Sequence, residues 1–536
     1  MSVSDNSNVR LNRTTAPRFV LLIGWLLPFL VNGKVLADAE RVCPNIIVIY
    51  TDDQGFGDVS CLNPDAKFQT HNLDRLASEG ISFTDAHCSD TVCTPSRYGL
   101  LTGRYSWRTE LKRGVFGAER KCLIEDDRMT LASLLRDHGY HTAMIGKWHL
   151  GMDFPGDTAS RNWTQPVQDM PLDKGFDYFY GIPASMNYGV LAWFEGRHAT
   201  VPPTLFTAKK PNPIALADYR IMPPYESTPR ETQQKLGAKG IEVAPDFVDS
   251  ECLTRFTDKA ISYIHNKTAD AVNGKPFFLY LPYTSPHKPV IPLPEFRGQG
   301  TAGAYGEFLI ETDYHVGRLL AALSELKLDE NTLVIFSSDN GPETTWKQRV
   351  EKFQHRSNGI YREGKRSVYE GGHRVPFLVR WPAGVKSPGR VCRKTICQTD
   401  VLATLAELLK KELPVAAGED SESFLAELFD ADTTTTRSPM MHHGASGEFA
   451  IRSGKWKLIL PRRNAKNELY NLKADPSETT NIAEFHADVV ATLTQQATDL
   501  VLKGRTTPGT HQPNDTGYWD DLSWITKDAY NSPGLR

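Results

Sequence analysis

An excess of charge of either sign is missing from this 536-residue chain: 61 lysines and arginines stand against 64 aspartates and glutamates, a formal net charge of -3 at pH 7. No basic stripe, zinc-ligand spacing or RNA-binding signature accompanies that balance, so no nucleic-acid partner is expected. Internal repeats and coiled-coil heptads are absent as well, which excludes a solenoid or a fibrous assembly. Long apolar runs are also lacking. The one candidate, Phe19 to Val31, is shorter than the roughly 20 residues a spanning helix needs. It follows Arg10, Arg13 and Arg18 and precedes Val35-Leu36-Ala37, the pattern of a cleaved signal peptide over residues 1–37. No cysteine follows closely enough for lipid attachment. Export to a periplasm, a lysosome or the exterior is expected, with no stable membrane insertion after cleavage.

What is present suits a large folded enzyme. Hydrophobic residues make up 40% of the chain, enough for a big core, expected as a main domain over 38–430 and a smaller one over 431–536. Ile46 to Tyr50, Phe277 to Leu281, Leu333 to Phe336 and Phe377 to Val379 are continuous apolar runs, as in strands covered on both faces. Helical patterns around Leu73 to Glu79, Leu131 to Asp137, Leu253 to His265 and Thr312 to Leu326 lie between them. This alternation predicts an α/β fold with a large mixed, mostly parallel sheet flanked by helices. Phe449 to Leu460 and Glu468 to Leu472 predict a small antiparallel sheet, Val489 to Leu502 a last helix, and the tail after Gly504 a loosely held end.

Polar clusters follow these strands at once, where an open α/β sheet places its ligand site. Asp52-Asp53 and Asp339-Asn340 offer an anionic, all-oxygen set suited to a hard divalent cation such as Ca²⁺ or Mg²⁺. Taken singly, each pair is more often turn or helix-cap chemistry. Lys147 and His149 stand two apart beyond the short β-run Tyr140 to Ile145, so both can face one pocket. His287 lies among prolines in Ser285-Pro286-His287-Lys288-Pro289. Cys93 opens the run Cys93-Thr94-Pro95-Ser96-Arg97-Tyr98-Gly99-Leu100-Leu101-Thr102-Gly103-Arg104, a turn leading into a helix.

That run resembles, at every defined position, the signature C-x-P-S-R-x-x-x-L-T-G-R of the formylglycine-dependent sulfatases, of arylsulfatase and N-acetylgalactosamine-sulfatase type. Gly139 to Gly151 resembles their second signature, and Ser285 to Pro289 and Gly364 to Pro376 resemble two further segments. The resemblance runs from about residue 45 to about 385. It implies an alkaline phosphatase-like fold and a cysteine, Cys93, oxidised to formylglycine (3-oxoalanine) by a maturation enzyme. It implies Cys93, Asp52, Asp53, Asp339 and Asn340 around a Ca²⁺, with Mg²⁺ as the second choice. It further implies Arg97, Lys147 and Lys365 on the sulfate, His287 as the acid for the departing alcohol and His149 as the base that releases sulfate.

With Cys93 set aside, Cys43, Cys61, Cys88, Cys122, Cys252, Cys392 and Cys397 remain, an odd set in which Cys392 and Cys397 are the easiest local pair. Asn162, Asn266 and Asn514 head glycosylation sequons. Trp163, Phe176, Tyr178, Phe179, Tyr180, Tyr188, Trp193 and Phe194 are candidate pocket walls, with core packing as their alternative. The expected reaction is hydrolysis of sulfate esters, aryl sulfates generically and a sulfated sugar or polysaccharide fragment naturally. A phosphonate or phosphate monoester hydrolase of the same superfamily, and an unmodified sulfated-glycan binder, are the alternatives.

Overall fold

The computed structural model describes residues 43–158, 160–207, 225, 241–429, 437–462 and 465–531. The segment expected to be a signal peptide and the expected boundary at residues 430 and 431 lie outside the described residues. Among the described residues, no helix is long and apolar enough to cross a membrane.

The main sheet has ten strands: β1 (Asn45–Asp52), β2 (Ile81–Phe83), β3 (His141–Lys147), β4 (Tyr178–Ile182), β5 (Phe194–Glu195), β6 (His198–Ala199), β7 (Phe277–Pro286), β8 (Thr332–Ser338), β9 (Phe377–Arg380) and β10 (Arg390–Cys392). Their order across the sheet is β10-β2-β9-β8-β1-β7-β3-β4-β5-β6. The five central strands, β8 to β4, are all parallel. Antiparallel pairings begin beyond them, at β9 on one side and β5 on the other. Ile46 to Tyr50 are buried to within 1% on both faces, which is why β1 is uniformly apolar instead of alternating.

Helices α1 (His71–Ser78), α2 (Cys93–Thr102), α3 (Leu131–Arg136), α4 (Cys252–Val272), α5 (Gly303–Glu325) and α6 (Asp400–Leu408) accompany the sheet. α4 and α5 pack on each other and on β7. A second sheet of β11 (Met440–His443), β12 (Phe449–Ser453), β13 (Trp456–Ile459) and β14 (Glu468–Asn471) is antiparallel throughout. Met441, Phe449, Ile451, Leu458 and Leu469 form a core with Leu493, Ala497 and Val501 of α7 (Ala487–Lys503) and with Tyr105 and Trp107, which follow α2.

Three expectations change. β7 continues five residues past Leu281, so Ser285-Pro286 belongs to a strand; an irregularity between Tyr50 and Asp52 lets Asp52 pair with Pro286. The tail after Gly504 is anchored: Leu522 and Ile525 are buried in the C-terminal core, and Arg104 grips Asp515 through Nη2 at 2.7 Å. All eight cysteines are free thiols, Cys392 and Cys397 included. Cys392 pairs in β10 with Phe83 of β2, whereas Cys397 pairs with His87 in a separate two-stranded sheet, so local sequence spacing does not bring the two into one ladder.

Candidate active site

The carboxyl ends of the parallel strands collect the polar residues. Register places Thr51 beside Ser338 and Asp52 beside Pro286. Asp52 and Asp53 at the end of β1 therefore meet Asp339 and Asn340 just past β8, and His287 just past β7. Lys147 is the last residue of β3. His149 follows with a left-handed φ of 62°, so the strand alternation expected to aim both side chains has already ended there; the turn, not the pleat, directs His149. Cys93 is the first residue of α2 and Arg97 lies four residues on, one turn along the same face. Lys365 arrives from the loop between β8 and β9. These residues are buried, none more than 5% exposed.

Each carboxylate has a cationic counterpart. Lys147 Nζ donates to Asp52 Oδ2 at 2.5 Å, Lys365 Nζ to Asp53 Oδ1 at 2.6 Å, and Arg97 Nη2 to Asp339 Oδ2 at 2.8 Å. Burial opposes ionisation of Asp52, but Lys147 and then His287 draw its carboxyl down to about 2. Burial and the neighbouring Asp52 push Asp339 upward. Cys93 Sγ lies 3.5 Å from Asp52 Oδ1 and 3.6 Å from Lys365 Nζ. Burial pushes its thiol up to about 12 despite both lysines, so at neutral pH an unmodified Cys93 is a neutral thiol and a weak nucleophile.

The two histidines are oriented differently. His149 Nε2 donates to the Phe116 carbonyl at 3.0 Å, and the Phe116 N–H is in turn held by Thr94 Oγ1 at 3.2 Å. That leaves His149 Nδ1 as a buried nitrogen without a partner. Burial, with Lys147 and Arg97 nearby, holds the ring well below the usual imidazole range, so Nδ1 carries a lone pair. His287 Nδ1 donates to the Lys288 carbonyl at 2.7 Å, turning Nε2 toward Asp53 Oδ2 at 3.8 Å. Burial lowers His287 too, against the pull of Asp52 and Asp53.

The donor set fits a hard divalent cation. Asp52, Asp53, Cys93 and His287 each bring a ligand-type atom within 4.8 Å of the others. Asp53 Oδ2 and Asn340 Oδ1 are buried without hydrogen-bond partners, an arrangement costly in an apolar interior unless a cation completes it. Asn340 is oriented by donating Nδ2 to Asp53 Oδ1 at 2.7 Å.

All ten residues singled out in the sequence thus converge on one place. Of the aromatic candidates, Phe176, Phe179, Tyr180, Trp193 and Phe194 are buried in the main core, and Trp163 and Tyr178 pack against it. Tyr188 alone reaches the site, its ring 5.3 Å from that of His149. The Phe116 carbonyl, being backbone, left no sequence signal. Glu343, Lys288 and Arg366 carry no signal of their own in the sequence, although each lies one to three residues beyond a site residue.

The chain matches the Sulfatase family over residues 44–411 and the C-terminal region of N-sulphoglucosamine sulphohydrolase over 359–503. It is 34% identical to the N-acetylgalactosamine-6-O-sulfatase of Bacteroides thetaiotaomicron, covering 87% of this chain and 94% of that one. It is 31% identical to human arylsulfatase A, covering 82% and 83% of the two chains. A solved Bacteroides thetaiotaomicron structure, described under the metabolism of multiple glycosaminoglycans, superposes with a TM-score of 0.72 at 32% identity, covering 86% of this chain and 99% of that one. With family signatures, fold and relatives in agreement over most of its length, the chain belongs to the sulfatase family of sulfuric ester hydrolases.

Proposed function

We propose that the protein is an exported sulfatase that cleaves the sulfate ester of a sulfated sugar, using a formylglycine made from Cys93 by a maturation enzyme and a Ca²⁺ held by Asp52, Asp53, Asp339, Asn340 and residue 93. The observation that carries this reading is the position of Cys93, buried between a carboxylate of the cation-type donor set and Lys365. A thiol pushed to about 12 has little nucleophilic use there; a hydrated aldehyde at the same point has. The cation, when bound, polarises the sulfate and lowers the barrier to attack at sulfur, and the hydrated aldehyde supplies one hydroxyl to attack and a second to expel the sulfate.

The remaining work falls to the side chains. Arg97, Lys147 and Lys365 present fixed positive charge to a sulfate that would otherwise repel a nucleophile, and their ion pairs with Asp339, Asp52 and Asp53 set their positions before substrate arrives. His287, in the imidazolium form that Asp52 and Asp53 favour against burial, delivers its Nε2 proton to the ester oxygen as the alcohol leaves and keeps the Nδ1 proton on the Lys288 carbonyl. His149 takes a proton at Nδ1, the nitrogen its hydrogen bond to Phe116 leaves open. The sugar substrate follows from the N-acetylgalactosamine-6-O-sulfatase relative. The main domain over 38–430 and the smaller one over 431–536 complete the proposal.

Peptide mass analysis of active protein tests it. The Cys93 peptide is expected about 18 Da lighter than its thiol form, a loss outside the usual sulfur oxidation ladder, in protein that turns over sulfate esters faster than phosphate or phosphonate esters. Full activity with an intact thiol overturns the formylglycine reading. Faster phosphate turnover overturns the sulfatase preference.

A further inference from the structure

Three charged residues form a second tier at the mouth of the site. Each is attached in sequence to a residue already placed: Lys288 follows His287, Arg366 follows Lys365, and Glu343 comes three residues after Asn340. Glu343, only 6% exposed, is their hub. Its Oε1 accepts from the Thr344 N–H at 2.8 Å, from Thr344 Oγ1 at 3.0 Å and from Arg366 Nη1 at 2.5 Å. Its Oε2 accepts from Arg366 Nη2 at 2.9 Å and has Lys288 Nζ at 3.6 Å. The carboxylate is therefore spent on holding two cations in place.

The cations are not spent. Guanidinium carries five N–H donors and ammonium three; Glu343 takes two from Arg366 and only pairs with the Lys288 ammonium at 3.6 Å, without a hydrogen bond. Arg366 keeps 45% of its side chain exposed and Lys288 23%. One carboxylate against two partly exposed cations leaves a net positive charge within the cluster. Arg366 is anchored through its backbone, donating its N–H to the Thr91 carbonyl at 2.8 Å and accepting at its own carbonyl from Ala445 N–H at 3.1 Å. It acts electrostatically on Asp53 and Cys93, as does Lys365 on Glu343, so the tier borders the reacting centre. Tyr188, on the His149 side, feels both Cys93 and Arg366 and gives the mouth an aromatic wall.

We infer that Lys288 and Arg366, braced by Glu343, form a binding subsite for a second anionic group on the leaving sugar or on the residue next to it. This rests on the sulfatase reading above, because the subsite adjoins His287 and so lies on the side from which the alcohol departs. Its ligand chemistry is an oxyanion, either a carboxylate or a second sulfate. A planar guanidinium set beside an ammonium suits both, and charge-assisted contacts of this kind are stronger than neutral ones.

The test compares kcat/KM for matched substrates in the intact, matured enzyme. The carboxylate arm uses a 6-sulfated N-acetylgalactosamine joined to a uronic acid and the same disaccharide with its carboxyl methyl-esterified. The sulfate arm uses the monosaccharide with one sulfate and with two. At least one arm is expected to favour the anionic form by about tenfold, the worth of one charge-assisted contact, mainly through KM, and the favoured arm identifies the anion. Arg366→Gln and Lys288→Gln are each expected to shrink that ratio several-fold and to weaken its dependence on salt. A ratio near one in both arms overturns the subsite, as does a ratio that both variants leave intact. Turnover of 4-nitrophenyl sulfate by the unaltered enzyme, measured alongside, reports on the sulfatase reading itself, so the two failures are distinguishable.

Discussion

At the scale of single residues the site divides its labour by hydrogen bonding. His149 and His287 are both buried imidazoles in one site, yet one shows Nδ1 and the other Nε2 to the reacting centre because different backbone carbonyls hold the opposite nitrogens. The proposed roles differ accordingly. Removing His287 is expected to cost about a hundredfold or more on sugar sulfates and far less on an activated aryl sulfate, whose phenolate leaves unaided. Removing His149 is expected to allow a burst of alcohol release equal to the enzyme present while sulfate release stalls. Equal losses on both substrates for His287→Ala, or no burst for His149→Ala, would reverse the assignment. The oxygen donors carry a further expectation: chelation abolishes turnover, and Ca²⁺ or Mg²⁺ restores it better than Zn²⁺. Metal analysis that finds no cation in fully active enzyme would remove Asp53 and Asn340 from that role.

At the scale of elements, close strand approach positions Lys147. Gly146, immediately before it in β3, has a φ of 140°, and a Cβ there would lie 2.1 Å from the Pro282 carbonyl of β7. On the other side, a Cβ on Gly181 of β4 would lie 1.8 Å from the Gly146 carbonyl. Backbone cannot yield as a flexible side chain can. Gly146→Ala is therefore expected to destabilise the protein by about 2–4 kcal/mol, combining a forbidden φ with overpacking, and to lower turnover by shifting Lys147 from Asp52. Thermal unfolding and sulfate-ester kinetics measure both, and an unchanged melting temperature would mean the strands separate more easily than this geometry allows. The same parallel packing explains how β1, β7 and β8 were legible: strands buried on both faces read as continuous apolar runs. β11 was not, since Met440 to His443 mixes two methionines with two histidines that are buried only through contacts with distant chain.

At the scale of the whole molecule, three histidines join the two-stranded sheet of His87 and the helical turn Glu370–His373 to the C-terminal sheet. His87 Nδ1 and His373 Nδ1 share a 2.9 Å hydrogen bond, and His442 of β11 stacks on His373 at 3.8 Å with neither of its ring nitrogens bonded. Lys457 of β13 links His373 to Glu370 and Glu478, while Arg452 of β12 and Arg374 both pair with Asp85. Burial drives His87 down to about 4 and holds His373 and His442 well below the imidazole range. The unfolded chain takes up protons near pH 6.5 that the folded one refuses, so folding stability is full above that pH and falls as pH drops toward 4. Each histidine contributes up to about 1.4 kcal/mol per pH unit in that window. Asp85 and Glu370, held below the carboxylate range by Arg374, Lys457 and their neighbours, keep their contribution until the pH falls under about 4. His442→Phe, which preserves the stacked ring, is expected to flatten the decline of melting temperature between pH 6.5 and 4.5; the same slope in both proteins would place the acid sensitivity elsewhere.

The sequence by itself determined the fold class and the residues from which the proposed chemistry is built. Strands covered on both faces leave apolar runs, and a polar cluster directly after its strand draws attention to Asp52, Asp53, Asp339, Asn340, Lys147, His149 and His287. Local order alone favours turn chemistry or a solvated side chain there, and the family signatures, which also mark Cys93, Arg97 and Lys365, supply the expected roles. Tertiary structure decided how these separated segments meet, through a parallel register that aligns strand ends hundreds of residues apart. It also decided which nitrogen His149 offers, because the Phe116 peptide carries no side-chain signal, and which aromatic reaches the site, because Tyr188 differs from its neighbours only in where its ring is left after the core has packed. The Glu343 hub belongs with these: a carboxylate past a strand end is ordinary in sequence, and only the meeting of the connections that follow β7 and β8 gives it two cations to hold.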